Sequence, residues 1–132
     1  MKNKLRKIVV NGEEFFYLII QNHQEYAVTG NSFAVLKIFL AGQKETPLLV
    51  QFYAIMDARW GNIFYTGIAL KNQLTDKTEK FNVNFPAYVQ KFILYGQRVG
   101  WTGSNKVENL DGVVILREWG YDLSLWEIFL PK

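Results

Sequence analysis

The start of the chain alternates strand-like runs with turn residues, a pattern typical of antiparallel β-strands. A run at 5–10 is followed by Asn11-Gly12 and by a second run at 13–20. Asn-Gly favours a type I′ turn, because both central residues of that turn adopt positive φ. The pattern therefore predicts a β-hairpin. Since residues 15–20 are apolar at successive positions, we expect the second strand to be covered on both faces.

Further segments of the same kind extend the hairpin. Residues 33–40, 48–56 and 60–70 are rich in β-branched and aromatic side chains, and short turn-forming stretches separate them. Such side chains fit a pleated, half-buried surface. These segments predict a meander of antiparallel strands.

One segment shows helical spacing instead. Apolar residues recur three and four positions apart after a polar stretch at 73–80, which predicts a helix at about 85–99. We expect Asn84 to be its N-cap and Gly100 to close its C-terminus, while Pro86 suits the first turn, where no N–H is needed. The apolar stripe consists of Phe85, Tyr88, Val89, Phe92, Gly96 and Val99.

Two segments follow the predicted helix. Residues 113–119 come after the turn-forming pair Asp111-Gly112 and favour a strand, whereas residues 123–130 fit a strand or a helix, with a strand favoured. The chain of 132 residues has the length of one domain, 1–132. We predict an α+β fold: a strongly curved antiparallel β-meander, one main helix packed on one face, and one or two C-terminal strands returning to the sheet.

Aromatic residues are unusually frequent. The chain has 10 Phe, 7 Tyr and 4 Trp, or 16% of its residues, and a domain of this size buries so many rings only with difficulty. Tyr and Trp at a surface are typical of contact sites. A core that uses Phe in place of Leu is the alternative, and the composition leaves both open.

The charges do not favour nucleic-acid binding. The formal net charge is +3, and Lys2, Lys4, Arg6 and Lys7 form a short basic arm that is more typical of a solvated terminus than of a phosphate-binding site. The aromatic stretch at 33–70 has few cations, unlike sheets that bind single strands.

Few reactive side chains are available. The chain has no cysteine and one histidine, His23, so thiolate chemistry and zinc or iron–sulfur sites are not expected. No glycine-rich loop opens a helix to hold phosphate. We expect no metal, cofactor or catalytic residue and favour a protein that is not an enzyme. A carboxylate-dependent hydrolase using Asp57 or Glu118, each near a Trp and an Arg, is the alternative.

The hydrophobic runs are short. None approaches the length of a membrane span, about 18 residues, and the basic N-terminal residues are not followed by the long apolar run of a signal peptide. We therefore expect a cytoplasmic protein with no membrane partner.

Two clusters of Arg, Trp and Tyr near predicted strand ends suggest a contact surface. These residue types dominate the energetics of protein interfaces, and loops at strand ends commonly display binding residues. The candidate interaction residues are Arg59, Trp60, Arg117, Trp119 and Tyr121.

A small apolar ligand is a further hypothesis. A curved sheet with a helix across it can enclose an apolar pocket. The candidate lining residues are Phe15, Tyr17, Phe52, Tyr53, Phe64 and Tyr65.

Residues 5–15 resemble the start of small uncharacterised bacterial proteins, and so does the predicted helix that ends in Gly100-Trp101. Such proteins are similar to products of mobile gene cassettes and to immunity proteins encoded beside toxins. The resemblance implies a binding protein, which in an immunity role covers a toxin's active site without chemistry of its own. The leading hypothesis is a bacterial interaction module that binds a protein partner or, as a homodimer, a second copy.

Overall fold

The computed structural model describes residues 5–23, 31–55, 64 and 67–130. Within them the chain is α+β, as predicted. The helices are α1 (Pro86–Arg98), α2 (Gly112–Glu118) and a 3₁₀-helix (Ser124–Phe129). The strands are β1 (Arg6–Val10), β2 (Glu13–His23), β3 (Asn31–Leu40), β4 (Leu48–Ile55), β5 (Ile68–Asn72), β6 (Lys77–Phe81), β7 (Leu110–Asp111) and β8 (Tyr121–Asp122).

The predicted hairpin is confirmed. β1 and β2 pair antiparallel, with Val10 opposite Glu13. Asn11 and Gly12 between them have φ of 51° and 81°, the positive values that a type I′ turn requires. The turn therefore sets the register of the first two strands.

The described strands form two sheets, whereas the sequence predicted one. β1 to β4 are a meander in a sheet of order β1-β2-β3-β4-β7, in which the two-residue β7 lies parallel to β4. The second sheet has the order β6-β5-β8. The C-terminal strands thus exist, but they are short and divided between the sheets. The predicted curvature stays a prediction.

The two faces of the larger sheet are buried to different extents. Phe15, Tyr17 and Ile19 of β2 are buried in the core, whereas Phe16, Leu18 and Ile20 on the outer face are half-buried. On that outer face Phe16 stacks on Phe39 of β3 with 5.9 Å between ring centroids. The expectation of full cover on both faces is therefore met on the inner face only.

Helix α1 confirms the helical spacing. Tyr88, Val89, Phe92 and Gly96 of the predicted stripe are buried, whereas Phe85 and Val99 are exposed. The buried stripe packs against β4. The ring of Phe92 meets that of Phe52 edge-on at 5.6 Å between centroids. Gly96 approaches so closely that an added Cβ would lie 2.5 Å from a methyl carbon of Leu48. The absence of a side chain at residue 96 lets the helix lie on the sheet.

The predicted N-cap of α1 is wrong, whereas the predicted C-terminal glycine is confirmed. Asn84 is not the N-cap: that position is Phe85, and its side chain makes no capping bond, while Pro86 begins the helix. At the other end Gly100 adopts φ of 113°, and the Trp101 N–H donates to the Gly96 carbonyl at 2.8 Å. This αL closure confirms the predicted role of Gly100.

Residues 113–119 are helical, so the predicted strand there is wrong. Asp111 is an N-cap whose Oδ1 accepts from the Val113 and Val114 N–H groups at 3.0 and 3.2 Å. The cap and the burial of Ile115 and Leu116 in the core outweigh the strand preference of the β-branched residues.

The favoured strand at 123–130 is wrong for a similar reason. Asp122 Oδ1 accepts from the Ser124 N–H at 2.9 Å, and the Trp126 N–H donates to the Leu123 carbonyl at 2.9 Å. These bonds start the 3₁₀-helix.

No helix among the described residues is long and apolar enough to cross a membrane.

A cluster of phenylalanine rings lies within the buried core. Phe52 has its ring centroid 5.3 Å from that of Phe64 and 5.9 Å from that of Phe81. All three rings are fully buried. Phenylalanine does take the place of aliphatic residues in this core, which accounts for part of the aromatic excess.

The close approach of α2 to this core generates a prediction. A Cβ on Gly112 would lie 2.4 Å from two ring carbons of Phe52. We expect Gly112→Ala to lower the free energy of unfolding by about 1–3 kcal/mol, because the ring has to move. Urea denaturation measures this change. Val114→Ala, at an exposed position of the same helix, is the control and should change stability little. Equal stability of the two variants would contradict the close contact.

Candidate functional site

A groove of about 490 Å³ lies between α1, the end of α2 and the turn that joins β5 to β6. We call it the α1–α2 groove. It combines exposed apolar side chains, two aromatic rings and charged groups. Its lining residues are Asn72, Leu74, Thr75, Lys91, Leu94, Tyr95, Arg98, Glu118 and Trp119.

One wall is the outer side of α1. Lys91, Leu94, Tyr95 and Arg98 are three or four positions apart, which places them along one side of the helix. Leu94 is 40% exposed although it is a large apolar residue on the side facing away from the core. This wall therefore offers apolar contact between two cations.

Trp119 joins the groove to the core. It is the C-cap of α2 and is half-buried. Its ring lies 4.8 Å from the buried ring of Phe92, centroid to centroid, and meets Tyr95 edge-on at 6.2 Å. Packing on Phe92 restricts the rotamer of Trp119, so the groove has a rigid aromatic border.

Asn72 fixes the opposite wall. Its side chain is 5% exposed, and its Nδ2 donates to the Trp119 carbonyl at 3.0 Å. Its Oδ1 accepts from the Leu74 N–H at 2.9 Å and from the Thr75 N–H at 3.3 Å. One buried amide thus ties the β5–β6 turn to the end of α2 and holds Leu74, which is 77% exposed, at the groove.

The two cations of the groove lie over aromatic rings. Lys91 Nζ is 5.4 Å from the ring centroid of Trp119, 5.9 Å from that of Tyr88 and 5.8 Å from that of Tyr121. The guanidinium of Arg98 is 5.3 Å from the ring centroid of Tyr95. Neither cation forms a salt bridge with an acid of the described ranges, where the ion pairs are Lys7–Glu14 and Lys71–Asp76.

Among the described residues that line the groove, the one acid already has a hydrogen bond. The Tyr95 hydroxyl donates to Glu118 Oε2 at 2.9 Å. That bond to the carboxylate raises the pKa of Tyr95. With two cations and one hydrogen-bonded carboxylate, the groove has a positive balance of charge.

Two tyrosines beside Lys91 share a second carboxylate. The hydroxyls of Tyr88 and Tyr121 donate to the two oxygens of Glu79, each at 3.1 Å. Burial, and then the neighbouring Tyr121, raise the pKa of Tyr88. Tyr88 therefore stays protonated and serves as a hydrogen-bond donor at neutral pH.

The structure separates the predicted interaction residues. Trp119 lines the groove, Tyr121 is buried beneath Lys91, and Arg117 is exposed on α2 without lining the groove. Arg59 and Trp60 lie outside the described residues.

Most of the predicted pocket residues that are described belong to the core. Phe15, Tyr17, Phe52 and Phe64 are at most 2% exposed and do not line the α1–α2 groove. Tyr53 is placed on β4 by its backbone alone, and Tyr65 lies outside the described residues. Their role in binding a small ligand stays a prediction.

Of the two acids proposed for catalysis, only Glu118 lies in the described part of the chain. Glu118 binds the Tyr95 hydroxyl, and Asp57 lies outside the described residues. In the part of the chain that the structure describes, no three or more His, Cys, Asp or Glu side chains form a group that could hold a metal ion.

Several groove residues were not predicted from the sequence. Lys91 and Arg98 lie outside the apolar stripe predicted for this helix, and Leu74 lies in the polar stretch at 73–80. The one available indication was Leu94, an apolar residue outside the buried stripe.

Comparison of the chain with known protein families, with characterised proteins and with solved structures found no match. The function of the groove is therefore inferred from its geometry and chemistry.

The buried amide of Asn72 gives a test of how the groove is built. Asn72→Ala removes three hydrogen bonds from a buried site, and we expect the free energy of unfolding to fall by about 1–3 kcal/mol. Asn105 is a matched control, because its amide also bonds Thr102 and Gly100 but is exposed to water. Asn105→Ala should change the urea midpoint much less. Similar losses in both variants would show that Asn72 has no special role.

The raised pKa of Tyr88 predicts a pH dependence of stability. A group with a higher pKa in the folded state gives stability that is complete below its unfolded pKa, near 10.0 for tyrosine, and that is lost as pH rises above it. We expect Tyr88→Phe to lower stability at neutral pH and to flatten its decline between about pH 9 and pH 11. Urea midpoints across this range measure the slope. An unchanged slope would show that Tyr88 does not contribute.

Proposed function

We propose that this protein is a non-enzymatic interaction module that binds a segment of a partner protein in the α1–α2 groove. One observation carries the proposal. Exposed Leu74 and Leu94 lie beside half-buried Trp119 and two cations that form no salt bridge with a described acid.

The composition of the groove supports binding of a protein. Large apolar side chains grouped on a surface and bordered by polar groups are typical of contact sites. Trp, Tyr and Arg provide most of the energy at protein interfaces, and Trp119, Tyr95 and Arg98 all line this groove. A partner that covers Leu74 and Leu94 removes apolar surface from water.

The rigidity of the groove also supports this function. Trp119 packs on Phe92, and Leu74 is held through Asn72. Because these groups are already ordered, a partner gains contact without having to order them. A groove of about 490 Å³ accommodates a few side chains, which suits a short segment better than a broad protein surface.

This function agrees with the binding role that the resemblance to small bacterial proteins implies. A protein that acts by steric cover needs shape, apolar surface and charge but no reactive group. The bacterial origin, the cytoplasmic location and a homodimer are parts of the proposal that need their own tests.

Selection of peptides tests the proposal. Random linear peptides displayed on phage are selected on the immobilised full chain, and the affinities of synthetic copies are measured by fluorescence polarisation. We expect Leu94→Glu to weaken binding at least about tenfold, because it replaces an apolar contact by a charge.

Leu125→Glu is the matched control, since Leu125 is 85% exposed and does not line the groove. It should leave the affinity unchanged. The proposal fails if no peptide is selected, or if the two variants affect the selected peptides equally.

A further inference from the structure

We infer that the segment bound in the α1–α2 groove is acidic and amphipathic, with two carboxylates about 10 Å apart on either side of an apolar side chain. The inference rests on the proposed function and specifies the chemistry of the partner. The juxtaposition of Lys91, Leu94 and Arg98 on one wall of the groove carries it.

The spacing follows from the helix. Lys91 and Arg98 are seven residues apart in α1, and at about 1.5 Å per residue their positions are separated by about 10.5 Å along the axis. Leu94 lies between them and is 40% exposed. A complementary segment therefore needs two anionic groups at this distance and an apolar group between them.

The charge of the groove selects acidic groups. Lys91 and Arg98 have no salt bridge with the described acids, and Glu118, the one acid that lines the groove, accepts a hydrogen bond from Tyr95. An incoming carboxylate meets two cations. An incoming cation meets the same two cations and a single carboxylate that is already hydrogen-bonded.

Both cations lie over aromatic rings before a partner binds. Lys91 Nζ lies over three rings, at 5.4 to 5.9 Å from their centroids, and Arg98 lies over Tyr95 at 5.3 Å. A ring face attracts a cation but leaves its net charge in place, so both groups can still pair with an acid. Arg98 can bind a carboxylate through two parallel N–H donors.

The apolar part of the groove favours a protein over a nucleic acid. Leu74 and Leu94 are exposed at 77% and 40%, and a phosphate backbone gives them little to contact. Binding to nucleic acid relies on several phosphate contacts, whereas this groove offers two cations and includes one acid. A peptide segment with an acidic side chain next to Leu or Phe matches both the two cations and the exposed leucines of the groove.

Designed peptides test the inference with the full chain. The first is a fluorescein-labelled helical peptide of about 15 residues with two Glu seven positions apart and Leu midway between them. The second is an extended peptide with two Glu four positions apart and Leu midway between them, so that the three side chains lie on one face and the two Glu are about 13 Å apart along the backbone. Each has matched versions with Gln or Lys in place of Glu.

We expect at least one Glu peptide to bind about tenfold more tightly than its Gln version and to weaken as salt is added. Arg98→Glu should abolish this preference, Arg98→Lys should retain part of it, and the combined Lys91→Gln, Arg98→Glu variant should prefer the Lys peptide. Lys44→Glu is the control, since it makes the same charge change as Arg98→Glu at an exposed site outside the groove. Far-UV circular dichroism verifies that each variant is folded.

Three outcomes overturn the inference, and they differ in what they say about the proposed function. In the first outcome, the phage-selected peptides need Leu94 for binding but carry no acids, and the designed Glu and Gln peptides bind equally. The groove then binds a segment of another chemistry, and the proposed function stands. If neither the selected nor the designed peptides bind, the proposed function fails as well. If a single-stranded oligonucleotide displaces the Glu peptide, and if Leu94→Ala leaves the affinity for the oligonucleotide unchanged, the groove is a site for polyanions.

Discussion

The ring of Phe52 connects the layers of this fold. It belongs to β4 of the larger sheet, yet it contacts Phe81 of the smaller sheet and Phe92 of α1, and it leaves no room for a side chain at Gly112, the first residue of α2. Aromatic rings suit such a position because each buries a large apolar area and meets its neighbours at defined angles. The two sheets, α1 and α2 therefore all pack against one side chain, and this packing helps to position the two helices that border the groove.

The α1–α2 groove depends on this core indirectly, through Phe92. Phe92 packs on Phe52 on one side and on Trp119 on the other, so the aromatic border of the groove is fixed by the interior. Asn72 then ties the β5–β6 turn to the backbone of Trp119. A site built on ordered elements with a hydrogen-bonded second layer holds its geometry better than one built on loops alone. The rings under Lys91 add to this order at the surface.

Local sequence patterns predicted correctly those elements whose conformation depends mainly on residues close in sequence. The Asn11-Gly12 turn and the helical spacing around Phe92 each specify one conformation without help from distant residues. Residues 113–119 were assigned to a strand because β-branched side chains favour one, but a cap by Asp111 and burial against the core outweigh that preference. The groove could not be predicted in the same way. Leu74 and Leu94 come together on one surface only after the sheets and helices assemble, and although Leu94 stands outside the buried stripe, the sequence does not show that it lies near Leu74.

Gly120 couples two features that are distant in function. It terminates α2 with φ of 93°, and a Cβ at this position would lie 2.6 Å from Leu74 Cγ and 3.0 Å from Asn72 Oδ1. The residue that ends a helix therefore also makes space for one wall of the groove. During divergence of this protein, a side chain acquired at position 120 would have to be accompanied by a smaller residue at position 74 and a rearranged turn. The groove and the end of α2 are thus expected to evolve together. Few substitutions can therefore change which segment the groove binds and still preserve the fold.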